Sequence, residues 1–311
     1  MAQLANSFAT FNAVGLRESL ADAIYNINPE ETPFLSAIGK GKAEATFEEW
    51  QTDVLSNAAN NKVEQGNEAS PAAITPTVRV GNRTQISEKT YAVTGTQEAV
   101  SKAGRKSEVA YQDAKQMVQL KRDIEFGALQ NTTAIAYSAG VAGQSRGVLG
   151  WIATNTDIGA TGVDPNPVTN TAPTDGTQRA LTEAMLKTVG QKAWTQGGNP
   201  TLLFVPAAQR ATVSAFTGGA TKFDKTEDEK IVATVSVYKG DFGTYTVVNS
   251  RYQRSREIFG IQPDMWSLLT LRPMAGKDLA VTGDSKKRLI NTEYTLKCNN
   301  EAASFAIRDL S

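Results

Sequence analysis

Two long stretches in the first third of the chain alternate apolar and polar residues but contain few large apolar side chains. The first covers residues 43–54, and its alternation shifts by one position at Glu48 and Glu49, which predicts a bulged strand. The second is a long extended run at 77–94, and a polar loop at 56–76 separates the two. Neither stretch can form a core of its own. The pattern therefore predicts a projecting two-stranded ribbon that needs a neighbouring subunit.

Later segments show the three- and four-residue spacing of amphipathic helices. The strongest helix is predicted over residues 108–130, with Ser107 as its N-cap. Its apolar stripe consists of Met117, Leu120, Ile124 and Ala128. A helix of this length extends over ~35 Å, which is long enough to form the spine of a domain. A second helix is predicted from Thr182, followed by a strand at 201–205.

Glycine, proline and short apolar runs predict the remaining connections. The sequence Gly-Lys-Gly-Lys at 39–42 predicts a turn, and residues 240–243 predict the turn of a hairpin. The apolar run at 148–152 is interpreted as part of another hairpin. Further predicted segments are a charged loop at 218–230 and strands at 231–239, 244–250, 288–299 and 304–310.

Composition and charge argue against several classes of function. The 311 residues include 32 Lys and Arg against 32 Asp and Glu, so the chain lacks the basic excess of a dedicated nucleic-acid binder. It contains no histidine and a single cysteine, Cys298, which removes the commonest general base and the usual zinc ligands. Cys298 is expected to be a small buried thiol. We therefore expect no enzymatic activity and no catalytic, cofactor-binding or metal-binding residues. No signal-peptide pattern or membrane-length apolar run is found, so no membrane partner is expected.

One motif nevertheless suggests catalysis. Residues 143–147 fit the G-x-S-x-G nucleophile elbow of serine hydrolases, with Ser145 in the nucleophile position. The elbow requires a base that removes the serine proton, and without histidine only a Ser-Lys dyad remains. The segment at 148–152, interpreted as β-structure, also stands where a helix should follow. A hydrolase that uses Ser145 is a remote alternative, and turn glycines are the favoured interpretation.

Several short motifs, collinear over nearly the whole chain, resemble one known family. They lie at residues 29–34 (PEETPF), 120–125 (LKRDIE), 237–243 (VYKGDFG), 271–273 (LRP) and 279–285 (LAVTGDS). Together with the arm-like segment at 27–55, they resemble tailed-bacteriophage major capsid proteins, in particular the SU-ten-like major head protein family with the Hong Kong 97-type fold. Each motif alone is weak, whereas the ordered set is specific.

The resemblance implies an α+β fold with an N-terminal arm, an extended β-hairpin loop, a long spine helix, a peripheral β-sheet domain and an α/β axial domain. The corresponding division is 1–40 for the N-terminal arm, 41–95 for the extended loop, 96–180 for the peripheral domain with the spine helix at 108–130, 181–272 for the axial domain, and 273–311 for the return strands of the peripheral domain.

The resemblance also implies a function. It predicts a structural subunit that assembles with itself into hexamers and pentamers of an icosahedral or prolate shell. That shell encloses double-stranded DNA without sequence specificity, in a virion made in the bacterial cytoplasm. Expected partners are a separate scaffolding protein, a portal and a decoration protein. The assembly interface is expected to include Phe34, Phe47, Trp50 and Lys62. The alternative within the same fold is an encapsulin-like cellular nanocompartment that encloses an enzyme.

Overall fold

The computed structural model describes residues 31–55, 58–68, 71, 73–102, 104–216 and 237–311. Most of the predicted N-terminal arm, residues 1–30, and the predicted charged loop at 218–230 lie outside the described residues. The described residues combine helices with three β-sheets, as the predicted α+β class requires. None of the helices in this part of the chain is both long and apolar enough to cross a lipid bilayer.

A four-stranded sheet is built around a long central hairpin. Its strand order is β1 (Gly39–Lys42), β10 (Trp266–Asp278), β11 (Ser285–Cys298) and β4 (Gln85–Thr94). The outer strand β1 pairs parallel with β10, and the other two pairs are antiparallel. Strands from the early part of the chain therefore lie on both sides of a hairpin from its last part.

The longest helix, α3 (Glu108–Gln130), follows the short helix α2 (Gly95–Ala99) and packs against this sheet. Its bounds agree with the prediction, and the Ser107 side chain accepts a hydrogen bond from the Ala110 N–H, as an N-cap should. Leu120 and Ile124 are buried against Ile290 and Tyr294 of β11. The predicted apolar stripe thus joins α3 to the sheet of its own subunit.

A six-stranded sheet forms the second large unit of the fold. Its order is β5 (Thr156–Asp157), β12 (Phe305–Ile307), β9 (Ile258–Ile261), β6 (Leu202–Pro206), β8 (Gly243–Ser250) and β7 (Val237–Gly240). Helix α5 (Glu183–Thr195) contributes Leu186, Val189 and Ala193 to a core shared with β6, β8 and β12. Helix α6 (Ala207–Ser214) follows β6 directly.

One aromatic cluster joins the two large sheets. Phe34, in the short helix α1 (Pro33–Ala37), meets Phe204 of β6 edge to face at 5.7 Å between ring centroids. It also meets Trp266, at the start of β10, at 6.2 Å. Edge-to-face ring pairs contribute a stabilising energy in addition to that of apolar burial. Phe34 therefore ties the start of the described chain to both sheets.

The predicted ribbon consists of β2 (Phe47–Thr52) and β3 (Val78–Arg83), which pair antiparallel. Their register runs without interruption from Phe47 opposite Arg83 to Thr52 opposite Val78. The predicted bulge at Glu48 and Glu49 is therefore wrong. Phe47 and Trp50 instead face opposite sides of the regular strand β2, so the change of phase places one aromatic side chain on each face of the ribbon.

The predicted turn at 39–42 is also wrong, because these residues form β1. Gly41 explains why glycine occurs in this strand: a Cβ there would approach Leu269 Cδ2 of the neighbouring strand to 2.6 Å. The glycines therefore permit close packing of β1 on β10 rather than a reversal of the chain.

Two further segments differ from the expectation. The run at 148–152 forms a short helix, α4 (Val148–Trp151), instead of part of a hairpin. All four of its residues are buried, so its sequence lacks the polar positions that reveal helical periodicity. The extended run at 77–94 is divided at Thr84 into β3 and β4, which belong to different sheets.

The five-part division of the chain stays a prediction, and strand pairing shows how its parts interlock. Within the predicted extended loop, β4 pairs with β11 in the four-stranded sheet. The predicted boundary at residue 272 falls inside β10. Among the predicted return strands, β12 pairs with β9 in the six-stranded sheet. Strand pairing therefore crosses the predicted boundaries between the parts of the chain.

Candidate assembly interface

The hydroxyl of Ser145 is a buried structural group. Ser145 is 3% exposed, and its Oγ accepts hydrogen bonds from the Leu296 backbone N–H at 3.1 Å and from the Asn82 side-chain amide at 3.2 Å. Thr295 Oγ1 lies 3.4 Å away. No lysine hydrogen-bonds to this serine among the described residues. The geometry lacks both the exposure and the base that a nucleophile needs.

The glycine after this serine serves close packing. A Cβ at Gly147 would lie 2.6 Å from the Ala128 carbonyl oxygen and 2.7 Å from that of Gly127. The turn therefore fits tightly against the end of α3, immediately before α4. A helix does follow the motif, contrary to the expectation, but it is only four residues long.

Asn82 fixes the root of the ribbon to the body of the subunit. Its amide nitrogen also lies 2.9 Å from the Arg146 carbonyl oxygen and 2.6 Å from that of Leu296, so its two hydrogens are shared among three acceptors, and its Oδ1 accepts from the Arg146 N–H at 2.8 Å. Asn82 is 0% exposed. A buried amide held at this many points defines the position of its strand, because each lost partner would leave a buried polar group unsatisfied. The ribbon is thus attached rigidly at its base.

A pair of tryptophan rings and two cations also hold the base of the ribbon. Trp50 of β2 packs on the buried Trp151 with ring centroids 5.4 Å apart. The Arg146 guanidinium lies 4.5 Å from the Trp151 ring centroid, and Lys297 Nζ lies 5.5 Å from that of Trp50. Cations over indole faces are favourable contacts. On the other side of the ribbon, Arg83 stacks 4.1 Å from the ring centroid of Phe47.

Beyond the ribbon, the described residues between 53 and 77 form an exposed segment, here named the arm loop. Its described residues contain no helix or strand and are exposed. Four of its apolar side chains are largely in solvent: Val54 at 79%, Leu55 at 93%, Val63 at 71% and Ile74 at 93%. Such exposure concentrated on one projecting segment marks a surface suited to burial against another molecule.

Exposed apolar side chains also occur at two other places. The connection between β10 and β11 carries Leu279 at 40% and Val281 at 77% exposure. Trp194, on α5, is 61% exposed and lies 5.9 Å from Phe242 in the turn between β7 and β8. These patches are separate from the arm loop in sequence, so the subunit has several apolar surfaces available for contact.

The four residues expected at the interface occupy three kinds of environment. Phe34 is 0% exposed and lies in the core of its own subunit, so its expected place at an interface is corrected. Phe47 and Trp50 are half-buried at the ribbon root. Lys62 is exposed on the arm loop. For these last three residues the interface role stays a prediction.

Other candidate chemistry is limited. Cys298 is buried as expected, and burial raises the pKa of its thiol. Within the described ranges, no group of three or more potential metal-ligating side chains comes together. The role of Asn82 was missed, since one amide in a polar strand gives no sequence signal of burial. The apolar residues Val54, Leu55 and Ile74 in a polar loop were visible in the sequence.

The two-stranded ribbon, the long helix packed on a four-stranded sheet and the six-stranded sheet agree with the predicted α+β class. The sequence matches the family described as SU10 major capsid protein over residues 3–311. The chain belongs to this family. Its function is therefore that of a structural tailed-phage major capsid protein, and the family favours this interpretation over the nanocompartment and the hydrolase.

Relatives and solved structures agree with the family. The chain is 25% identical over 334 residues to the major capsid protein of Escherichia phage Phieco32, and the match covers 96% of this chain and 95% of that protein. The capsid asymmetric unit of cyanophage A-1(L) has a TM-score of 0.65 at 14% identity, covering 97% and 98% of the two chains. A chain of the native GTA particle capsid has a TM-score of 0.63 at 11% identity, covering 99% and 100%. At these identities the structures show the shared fold.

Proposed function

We propose that the protein assembles with copies of itself into hexamers and pentamers, which close into an icosahedral or prolate shell around double-stranded DNA. In this assembly the arm loop overlies an adjacent subunit. The observation that carries the proposal is the exposure of Val54, Leu55, Val63 and Ile74 on one projecting loop. A subunit that stayed alone would leave these side chains in water.

Burial between copies accounts for that exposure. Each square ångström of apolar surface removed from water contributes about 25 cal/mol, so several side chains seated on a neighbour contribute a few kcal/mol per contact. In a closed shell the same contact is repeated by every subunit, and each subunit is held by several neighbours at once. The hydrogen bonds of Asn82 fix the base of the ribbon, so less conformational freedom is lost when the arm loop binds a neighbour.

The proposed shell performs no catalysis and encloses DNA without reading its sequence. Equal numbers of acidic and basic residues give the chain no net electrostatic attraction for DNA, in keeping with enclosure rather than tight binding. Synthesis in the host cytoplasm precedes incorporation into the virion. A separate scaffolding protein, a portal and a decoration protein complete the proposal. In support, a Phage G structure of the same fold includes decoration proteins, and a satellite phage P4 procapsid structure includes a size determination protein.

Limited trypsin digestion before and after assembly tests the position of the arm loop. Lys62 is exposed in a segment without helix or strand, where proteases cleave readily. We expect rapid cleavage at Lys62 in unassembled subunits and cleavage at least tenfold slower in shells, because the neighbouring subunit covers the bond. Mass spectrometry of the fragments and electron microscopy of the particles are the two measurements.

The matched control is Lys62→Gln, which removes the cleavage site and assigns the fragments to this bond. Equal cleavage rates at Lys62 before and after shell formation would refute the placement of the arm loop on a neighbour. Failure to form particles with the neighbouring phage proteins present would refute the shell itself. Particles that contain an enzyme instead of DNA would favour the nanocompartment.

A further inference from the structure

A carboxylate of α3 holds the beginning of the described chain. Glu125 Oε1 accepts a hydrogen bond from the Phe34 N–H at 2.8 Å, and Oε2 accepts one from the Leu35 N–H at 2.9 Å. These N–H groups belong to the first turn of α1, where the helix itself supplies no acceptor. Glu125 is 0% exposed. Both oxygens of one buried carboxylate are thus used to seat α1 on α3.

The segment that Glu125 holds, residues 33–42, comprises α1 and β1 and is here named the strap. It connects the N-terminal residues to the ribbon. Three attachments keep it in place: the Phe34 ring in the aromatic cluster, the Glu125 hydrogen bonds, and the pairing of β1 with β10. β1 is an outer strand of four exposed residues. The strap also places Phe34 and Ile38 in the core, so the two Glu125 hydrogen bonds are one of several attachments that must break when it leaves.

Among the described residues, no cation forms an ion pair with this carboxylate. Burial is the largest influence on Glu125 and raises its pKa to about 7, while the N–H groups of Leu35 and Phe34 lower the pKa by less. The residues of α1 carry no ionisable side chain, and β8, which contacts α1, carries only Tyr245. Within the described part of the chain, the buried charge on Glu125 is therefore stabilised by two backbone dipoles.

The nearest charged groups along α3 have other partners. Lys121 is exposed. The Arg122 guanidinium lies over the Tyr252 ring, 5.7 Å from its centroid. Asp123 pairs with Lys89 of β4 at 2.6 Å. Desolvation therefore remains the largest influence on the pKa of Glu125.

Proton linkage fixes the direction of the effect. With the strap seated, the pKa of Glu125 is about 7. When the strap leaves and water reaches the carboxyl group, the pKa returns toward its usual value of 4.5. The seated form therefore binds the proton more tightly, and acid favours it. Between these two pKa values, release of the strap becomes easier with rising pH by up to about tenfold per pH unit, and it levels off above the upper one.

We propose that Glu125 makes the seating of the strap depend on protonation: the strap is held most firmly when the carboxyl group is protonated and is released more readily when it is ionised. A change of pH between about 5 and 7 then alters how firmly the strap is held on the body of the subunit. Its use during shell assembly rests on the proposed function, whereas the seating itself belongs to the single subunit.

Hydrogen exchange of the unassembled protein tests the seating without requiring a shell. Protection of the strap amides is measured by mass spectrometry from about pH 5 to 8, with correction for the intrinsic exchange rate at each pH. We expect protection of the strap to fall between about pH 5 and 7 and then to level off. Peptides from β6 and β9 serve as the internal reference for the rest of the fold. Unchanged protection of the strap across this range would overturn the proposal.

Two variants assign the effect to one residue. Glu125→Gln cannot ionise, so its strap protection should lose the pH dependence. Glu257→Gln is the matched control, because Glu257 is also buried, at 1% exposure, and burial raises its pKa to about 7, but its carboxylate pairs with Arg254 Nε at 3.3 Å instead of with the strap. This control should keep the wild-type profile. A wild-type profile in Glu125→Gln would refute the assignment. If Glu125→Gln does not fold, the control decides, since a profile lost in Glu257→Gln would assign the effect to Glu257 instead.

Discussion

At the scale of single residues, the hydroxyl of Ser145 joins three distant parts of the chain. It receives the Leu296 N–H from β11 and the Asn82 amide from β3, and it lies directly before α4. Because the site is buried, water cannot replace these hydrogen bonds when the oxygen is removed. The same hydroxyl that suggested a nucleophile is part of the attachment of the ribbon.

Ser145→Ala should lower the free energy of unfolding by about 1–3 kcal/mol, because the buried Leu296 N–H would lose its acceptor. Urea denaturation of the purified subunit measures the change. Ser138→Ala, at an exposed position in the preceding turn, should have little effect and is the control. A stability equal to wild type would contradict this role, and so would an esterase activity that disappears in the variant.

Only some features of the candidate site could be predicted from the sequence. The sequence contains no histidine, and that sufficed to argue against an ordinary serine hydrolase. It could not show that Asn82 is buried, because the groups that satisfy its amide come from Arg146 and Leu296, far away in the chain. It also suggested an interface role for Phe34, whose partners Phe204 and Trp266 are equally distant. Burial of an individual side chain depends on tertiary contacts that local patterns do not contain.

At the scale of elements, the reliable predictions were those set by local signals. The helix at 108–130 has a capping serine and a repeated apolar stripe, and its bounds were predicted correctly. β1 was missed because its pairing partner, β10, is near the other end of the sequence. α4 was missed because four buried apolar residues fit a strand as well as a helix. Short elements are determined by their neighbours in space.

Leu120→Asp tests the packing of α3 on the four-stranded sheet. Leu120 is 0% exposed and contacts the cluster that contains Ile124, Ile290 and Tyr294. An unpaired carboxylate there should cost several kcal/mol, roughly the whole margin of stability of a domain, and soluble protein should be lost. Yield in the soluble fraction and circular dichroism are the measurements.

Ala114→Asp is the control for that substitution, since it places the same side chain at an exposed position of α3. It should remain soluble and folded, with a loss of no more than about 1 kcal/mol. A folded Leu120→Asp protein that still forms shells would show that this face of α3 is not part of the core.

At the scale of the whole molecule, a rigid body carries a projecting loop with little attachment of its own. The ribbon is anchored through Asn82 and Trp50, whereas the described part of the arm loop at 58–68 shows only an internal backbone hydrogen bond, from Asn67 N to Glu64 O. Stability of the subunit and stability of the shell should therefore depend on different residues.

Deletion of residues 57–75 should separate these two properties. The subunit should keep its fold and nearly its full free energy of unfolding, since the ribbon ends at Thr52 and Val78. Closed shells should be weakened or lost, as seen by electron microscopy and sedimentation. The control replaces Val63 and Ile74 with serine and keeps the loop length, so that it reports on the apolar contacts alone. Normal shells from the deletion variant would refute the assembly role of the arm loop.

The position of the β10–β11 hairpin also sets the order in which the chain can fold. β1 and β4 are made early during synthesis, yet neither pairs with the other, because β10 and β11 lie between them. The four-stranded sheet therefore cannot form until nearly the whole chain has left the ribosome. Until then, the apolar face of α3 lacks β11, the strand on which it packs. Contacts between such distant segments fold slowly and leave apolar surface exposed to aggregation in the meantime. A nascent subunit of this topology should depend on host chaperones more than a protein whose sheets close from consecutive strands.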